Sequence, residues 1–182
     1  MPIDLREYFE PISHSLGRGE TEPERARKQA IKLDEHDGLA VALGFENNSI
    51  SKADYLYRDG PEFVVIEASD LRNQLDECHV QIRQLEEQEL AKIRKPKLPI
   101  KIRKDIENKC YYPIKAELMQ KWCGSIAVSE RMCKENGITI RPNYKYTIVC
   151  KNETDIQVLD RLKIKMSGAI SNIEILKTED LG

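Results

Sequence analysis

The chain has 182 residues, of which 40% are hydrophobic and 33% charged, with a formal net charge of −2. That is enough for one domain with a core of its own and excludes a disordered chain. No apolar run approaches the roughly 18 residues of a membrane span, and Met1-Pro-Ile-Asp-Leu-Arg-Glu7 lacks a basic region leading into an apolar one, so no membrane partner and a cytoplasmic location are expected. Cys78, Cys110, Cys123, Cys133 and Cys150 are odd in number and form no Cys-x-x-Cys pair, and with His14, His36 and His79 they make no zinc spacing. Cys78 beside His79 reads as a core cysteine next to a surface histidine. Charge is unevenly spread: residues 1–90 hold 10 basic and 20 acidic side chains, and residues 91–150 hold 14 and 5. A basic face for phosphates or an acidic partner is one consequence; mutual attraction of two solvated halves is the other.

In chain order, residues 1–19 read as an N-terminal arm punctuated by Pro2, Pro11 and Gly17, with a helical turn around Leu5 to Phe9. Thr21-Glu22-Pro23-Glu24 reads as a helix start, and Ala26, Ala30, Ile31 and Leu33 continue it toward Glu35. Gly38 to Phe45 is small and apolar, a buried helix or a turn, and Glu46-Asn47-Asn48-Ser49 is a loop.

Residues 53–67 carry the most informative pattern. Asp59-Gly60-Pro61-Glu62 has turn chemistry between two apolar segments, so Arg58 faces Phe63, Leu56 faces Val65 and Asp54 faces Glu67. Opposed residues in an antiparallel pair have Cβ atoms about 5 Å apart, and two carboxylates at that distance repel unless a cation or a donor intervenes. Alternation carries the same face on to Ser69.

These residues resemble the core of the PD-(D/E)xK nuclease superfamily. There an acid on one strand and Glu-x-Lys on the next bind a divalent metal that activates water against a phosphodiester, and a helix follows directly. The resemblance covers residues 20–150 and implies a restriction-endonuclease-like core. It assigns Asp54 and Glu67 as ligands of Mg²⁺ and places Ser69 where the family has lysine, so that Arg72 or another base substitutes or catalysis is lost. Gln74 or Arg72 would orient phosphate or water. The family's helix before the hairpin often brings an acid to the site; Glu24 qualifies by position, although a helix dipole alone accounts for a first-turn glutamate.

From Asp70, read as the N-cap, Leu71, Leu75, Cys78, Ile82 and Leu85 form a heptad seam on a helix reaching Lys95, packed on its own sheet or meeting a protein partner or a second copy. Pro96 and Pro99 break it. Lys97, Lys101, Arg103 and Lys104 then interleave with Leu98, Ile100 and Ile102 as a short edge segment, placed to track a nucleic-acid backbone with no aromatic residue among them. Tyr111 and Tyr112 precede a helix with Pro113 in its first turn, ended by Asn136-Gly137. A strand from Tyr144 to Cys150 leads into residues 151–182, which complete the sheet with a helix capped by Asn152 or Thr154 and ended by Gly168, then a strand from Ile170 to Leu176.

The expected fold is a single α/β domain, a small mixed sheet flanked by helices. Its expected function is that of a Mg²⁺-dependent nucleic-acid phosphodiesterase or a degenerate nucleic-acid-binding subunit. The alternative is a small inhibitor or immunity protein that docks through its acidic N-terminal half, in prokaryotic defence or toxin immunity.

Overall fold

The computed structural model describes residues 2–16, 20–46, 49–69, 71–93, 96–170 and 172–181. It is a mixed α/β fold whose chain divides into two compact units, Met1–Asp70 with Met119–Gly182, and Leu71–Leu118.

The first unit is built on a six-stranded sheet in sequence order. A 3-10 turn at Leu5–Tyr8 leads into β1 (Phe9–Ser13), which pairs antiparallel with β2 (Arg25–Lys32). Both strands correct the expectation from sequence: β1 occupies the supposed arm, and β2 replaces the helix expected from Thr21 to Glu35. A short helix α1 (Leu39–Ala42) follows, then β3 (Tyr55–Asp59) and β4 (Glu62–Ala68). Asn47 and Asn48, expected in the loop before β3, lie outside the described residues, as does Gly17. The β3–β4 hairpin keeps the expected register, Leu56 opposite Val65 and Arg58 opposite Phe63, but closes more tightly, with Asp59 paired to Glu62. Gly60 takes φ 57°, a left-handed conformation that suits glycine. The chain returns as β5 (Asn143–Cys150), parallel to β4, then crosses through α4 (Ile156–Met166) to β6 (Ile173–Lys177), parallel to β5. Asp155, rather than Asn152 or Thr154, caps α4 by accepting the Gln157 amide at 2.7 Å.

A 36-residue helix, α3 (Ile100–Glu135), belongs to the first unit from Met119 onward. There Trp122 packs edge-on to Tyr144 and tilted against Tyr146. This is the sheet face of Leu56, Phe63, Val65 and Ile148, all fully buried. The helix ends as expected, with Gly137 at φ 63° and the Ile138 amide donating to the Cys133 carbonyl at 2.8 Å. On the opposite sheet face Ile12, Ala26, Ala30, Tyr55, Ile66, Ala68, Val149 and Leu181 form a second cluster, with Tyr57, Val64 and Leu176 at its margin.

The second unit is a helical hairpin of α2 (Arg72–Ile93) and the first half of α3. Asp70 and Lys95, the expected bounds of the first helix, lie outside the described residues. Along the heptad seam Leu75 and Cys78 are buried, while Ile82 and Leu85 are half-buried. Polar contacts join the two helices: the Cys78 thiol donates to the Cys110 carbonyl at 3.1 Å, His79 Nε2 lies 3.0 Å from the Tyr111 hydroxyl, and Arg103 meets Glu86 at 3.1 Å. Two further expectations fail here. Residues 100–104 are helical rather than an extended edge, and Pro113 sits inside α3 instead of opening a new helix. An interior proline removes one backbone bond, at a cost of about 3 kcal/mol that the packing of a long helix can offset. None of the described helices is long and apolar enough to cross a membrane.

Candidate active site

The site grows from the open end of the β3–β4 hairpin, away from the Gly60-Pro61 turn. The β3–β4 register ends at the Tyr55–Ile66 pair; Asp54 lies one residue before Tyr55, on a bend just outside β3, and Glu67 one residue after Ile66 on β4. The Asp54 carbonyl accepts the Leu33 amide at 2.7 Å, and its carboxylate Oδ2 accepts the Ala68 amide at 2.8 Å. Glu67 is only 2% exposed, between fully buried Val65 on its own face and Ile148 on β5. A carboxylate in such surroundings remains ionised only with a close cation. Lys121 provides it, Nζ to Oε1 at 2.5 Å, from a side chain 22% exposed.

Lys121 is aimed there by the way α3 is fastened to residues 51–53. Gly124 lies so close to the backbone of Ser51 that a Cβ would stand 1.9 Å from its carbonyl oxygen. Ser125, fully buried, accepts the Ala53 amide at 2.8 Å and donates to the Lys121 carbonyl at 2.8 Å. The residue before Asp54 and the residue carrying the cation are thus tied to one hydroxyl. Lys121 acts on both carboxylates, because its charge also lowers the pKa of Asp54.

Asp54 nevertheless sits above the ordinary carboxylate range, at about 6. Burial pushes it up and the negative charges of Asp34 and Glu35 add to that, while the Ala68 hydrogen bond and Lys121 oppose them. A cleft of about 180 Å³ opens beside it, lined by Glu10, Ser13, His14, Ser15, Lys32, Asp34, Glu35, Asp54, Tyr55 and Ala68. The charges within it are ordered by pairing. Lys32 bridges Glu35 at 2.6 Å and Asp37 at 3.0 Å, and buried Lys52 holds Asp34 at 2.6 Å. Buried His14 meets Thr178 at 2.9 Å.

The other residues singled out in the sequence are distributed as follows. Ser69 is half-buried at the end of β4, its amide donating to the Val149 carbonyl at 3.1 Å. Arg72 and Gln74 are exposed on α2 in the second unit, and the cation on Glu67 is Lys121. Glu24, expected in a helix, instead accepts the Asn152 amide at 3.0 Å. Lys97, Lys101, Arg103 and Lys104 are all exposed in the second unit, and Arg103 is committed to Glu86. Lys121 escaped the sequence reading because it lies 54 positions from Glu67 inside an ordinary amphipathic stretch. Gly124 was the available signal, since glycine within a helix marks a close backbone approach.

Among the described residues no group of three or more histidine, cysteine or acidic side chains is arranged to hold a metal. Asp54 and Glu67 are an all-oxygen pair. That suits Mg²⁺, which binds through one or two carboxylates and keeps several waters or substrate oxygens as its remaining ligands. In comparisons with protein-family models, curated proteins and solved structures, the chain matches none.

Proposed function

We propose that this chain is a Mg²⁺-dependent nucleic-acid phosphodiesterase with a restriction-endonuclease-like core, working in the cytoplasm. The observation that carries the reading is the ammonium of Lys121 on Glu67, within electrostatic reach of Asp54. It supplies from a helix the cation that Ser69 cannot supply from the strand. The order of elements agrees: an antiparallel β2–β3–β4, a helix following β4, and a return to a parallel β5. Five cysteines outside any disulfide, four of them buried, accord with a reducing compartment.

Asp54 and Glu67 would hold Mg²⁺, which when bound acidifies a water and neutralises phosphate charge. The chain's own groups do the rest. Lys121 places positive charge beside the developing phosphorane oxygens, a contribution that is largest where water is excluded. The Ala68 amide fixes the orientation of the Asp54 carboxylate, and Ser125 fixes the position of Lys121 relative to it.

The test is cleavage of a labelled oligonucleotide with Mg²⁺ and with EDTA, by the wild type and by Glu67→Gln, which removes the ligand charge while keeping shape. Cleavage that requires Mg²⁺ and disappears in the variant supports the reading. Binding without cleavage would favour the degenerate subunit that Ser69 suggests. Neither binding nor cleavage would return the acidic N-terminal half to consideration as a protein-docking surface.

A further inference from the structure

The continuity of α3 through Pro113 reorganises the basic segment. On one unbroken helix Lys101, Lys104, Asn108, Tyr112 and Lys115 follow each other at steps of three, four, four and three, which places them in a single stripe. At 1.5 Å per residue the stripe is about 21 Å long. Lys101, Lys104, Asn108 and Tyr112 are exposed, and Lys115 is half-buried. Among the described residues none of these lysines takes part in an ion pair. Arg103 falls on another side of the helix, held by Glu86; two carboxylates flank the stripe, Asp105 four residues from Lys101 and Glu107 three from Lys104, with Lys109 beyond Asp105.

Two properties of this stripe set it apart from an ordinary solvated face. The first turn of α3 contains no acid, and Lys101 and Lys104 lie near the helix end where the backbone dipole is already positive. Cations there are disfavoured by the helix itself and relieved by an anion. In addition Tyr112 is 69% exposed in the middle of the lysines, with no ring contact or hydrogen bond among the described residues.

We propose that the first half of α3 is a binding face for single-stranded nucleic acid, with Lys101, Lys104 and Lys115 on the phosphates and Tyr112 stacked on a base. The inference rests on the reading of the substrate as nucleic acid. A protruding ring can stack only on a base released from its own duplex, and stacking on an aromatic residue is sequence-tolerant, so a single strand of mixed sequence is the ligand this chemistry fits. Continuous pairing of lysines with the backbone makes binding depend on salt.

The experiment is fluorescence anisotropy of a labelled mixed-sequence single strand and of its duplex, with the full chain in EDTA so that no turnover intervenes. The wild type should prefer the single strand and bind it more weakly as salt rises. The triple variant Lys101→Glu, Lys104→Glu, Lys115→Glu should lose about tenfold or more in affinity and flatten the salt dependence. Tyr112→Ala should lose about fivefold or more with the salt slope unchanged, and Tyr112→Phe should restore it. Arg103→Gln should bind as the wild type, and circular dichroism should show all variants folded. The proposal is overturned if the wild type does not bind at low salt, if duplex is preferred, or if the folded triple variant binds normally. It is equally overturned if the wild type is a dimer that the triple variant dissociates, since the stripe would then belong to a second copy. Glu67→Gln separates this result from the active-site reading, because it should bind the strand fully and fail only to cut it. A wild type that hydrolyses a small aryl phosphodiester with Mg²⁺ but ignores the strand would overturn the binding face alone.

Discussion

The sheet unit and the helical hairpin treat charge in opposite ways. In the sheet unit the decisive charges are buried and paired: Glu67 with Lys121, Lys52 with Asp34, Lys151 with Glu20. In the hairpin Lys101 and Lys104 are exposed and carry no ion pair among the described residues. Buried pairs cost desolvation and tolerate little displacement, so they fix geometry. Lys101 and Lys104 hold no such geometry and remain available to a ligand. Asp54 departs from its own unit's rule, being held partly out of water with a pKa raised toward neutrality. Such a mismatch between a carboxylate and its surroundings is common where a fold serves chemistry.

The largest effect is expected on breaking the buried pair. Lys121→Met leaves Glu67 enclosed without its cation, at a cost of about 3 kcal/mol by analogy with other broken buried pairs, and should reduce Mg²⁺-dependent cleavage about 100-fold or more. Chemical denaturation and single-turnover rates measure the two separately. Next comes Gly124→Ala. Helix propensity alone would make it stabilising by about 1 kcal/mol, whereas the contact with the Ser51 backbone should make it destabilising by about 2 kcal/mol. The sign of the change in a melt therefore decides whether α3 is fastened at this point.

A smaller effect distinguishes Asp54. Its folded value of about 6 lies above the roughly 3.9 of an unfolded chain, so the folded state holds the proton more tightly. This group's penalty is absent below about pH 4, grows as pH rises, and is complete above about pH 6. Asp54→Asn should therefore raise stability by about 1 to 2 kcal/mol at pH 8 and leave it unchanged at pH 4, as read from denaturation at the two pH values. The smallest effect belongs to the hairpin. Lys101→Glu and Lys104→Glu should change stability by no more than about 0.5 kcal/mol, and in the stabilising direction, because an acid suits the first turn of a helix.

How far the sequence discloses this arrangement depends on the range of the interactions. The β3–β4 register is legible because Gly60-Pro61 and the alternation of Leu56, Arg58, Phe63 and Val65 are local. Residues 25–32 mislead because Ala26, Ala30, Ile31 and Leu33 fit a helical spacing and Arg, Lys and Gln favour helices. Pairing with β1 and β3 overrides that preference. Pro113 misleads in the same sense, a local signal outweighed by a helix fixed by its packing. The two acids of the candidate site flank the last pair of that hairpin, Asp54 before Tyr55 and Glu67 after Ile66, so the same local pattern points to both. Lys121 arrives from a helix 54 positions downstream of Glu67, and no spacing rule links the two.

The most direct measurement is single-strand cleavage by Asp54→Asn with Mg²⁺ at pH 8, taken beside its melt. Asparagine keeps the acceptor for the Ala68 amide and removes the charge, so the variant should be at least as stable as the wild type, should bind the strand, and should not cut it. A wild type that cuts and an equally active Asp54→Asn would contradict the assignment of Asp54 to the chemistry. A wild type without cleavage would contradict the phosphodiesterase itself.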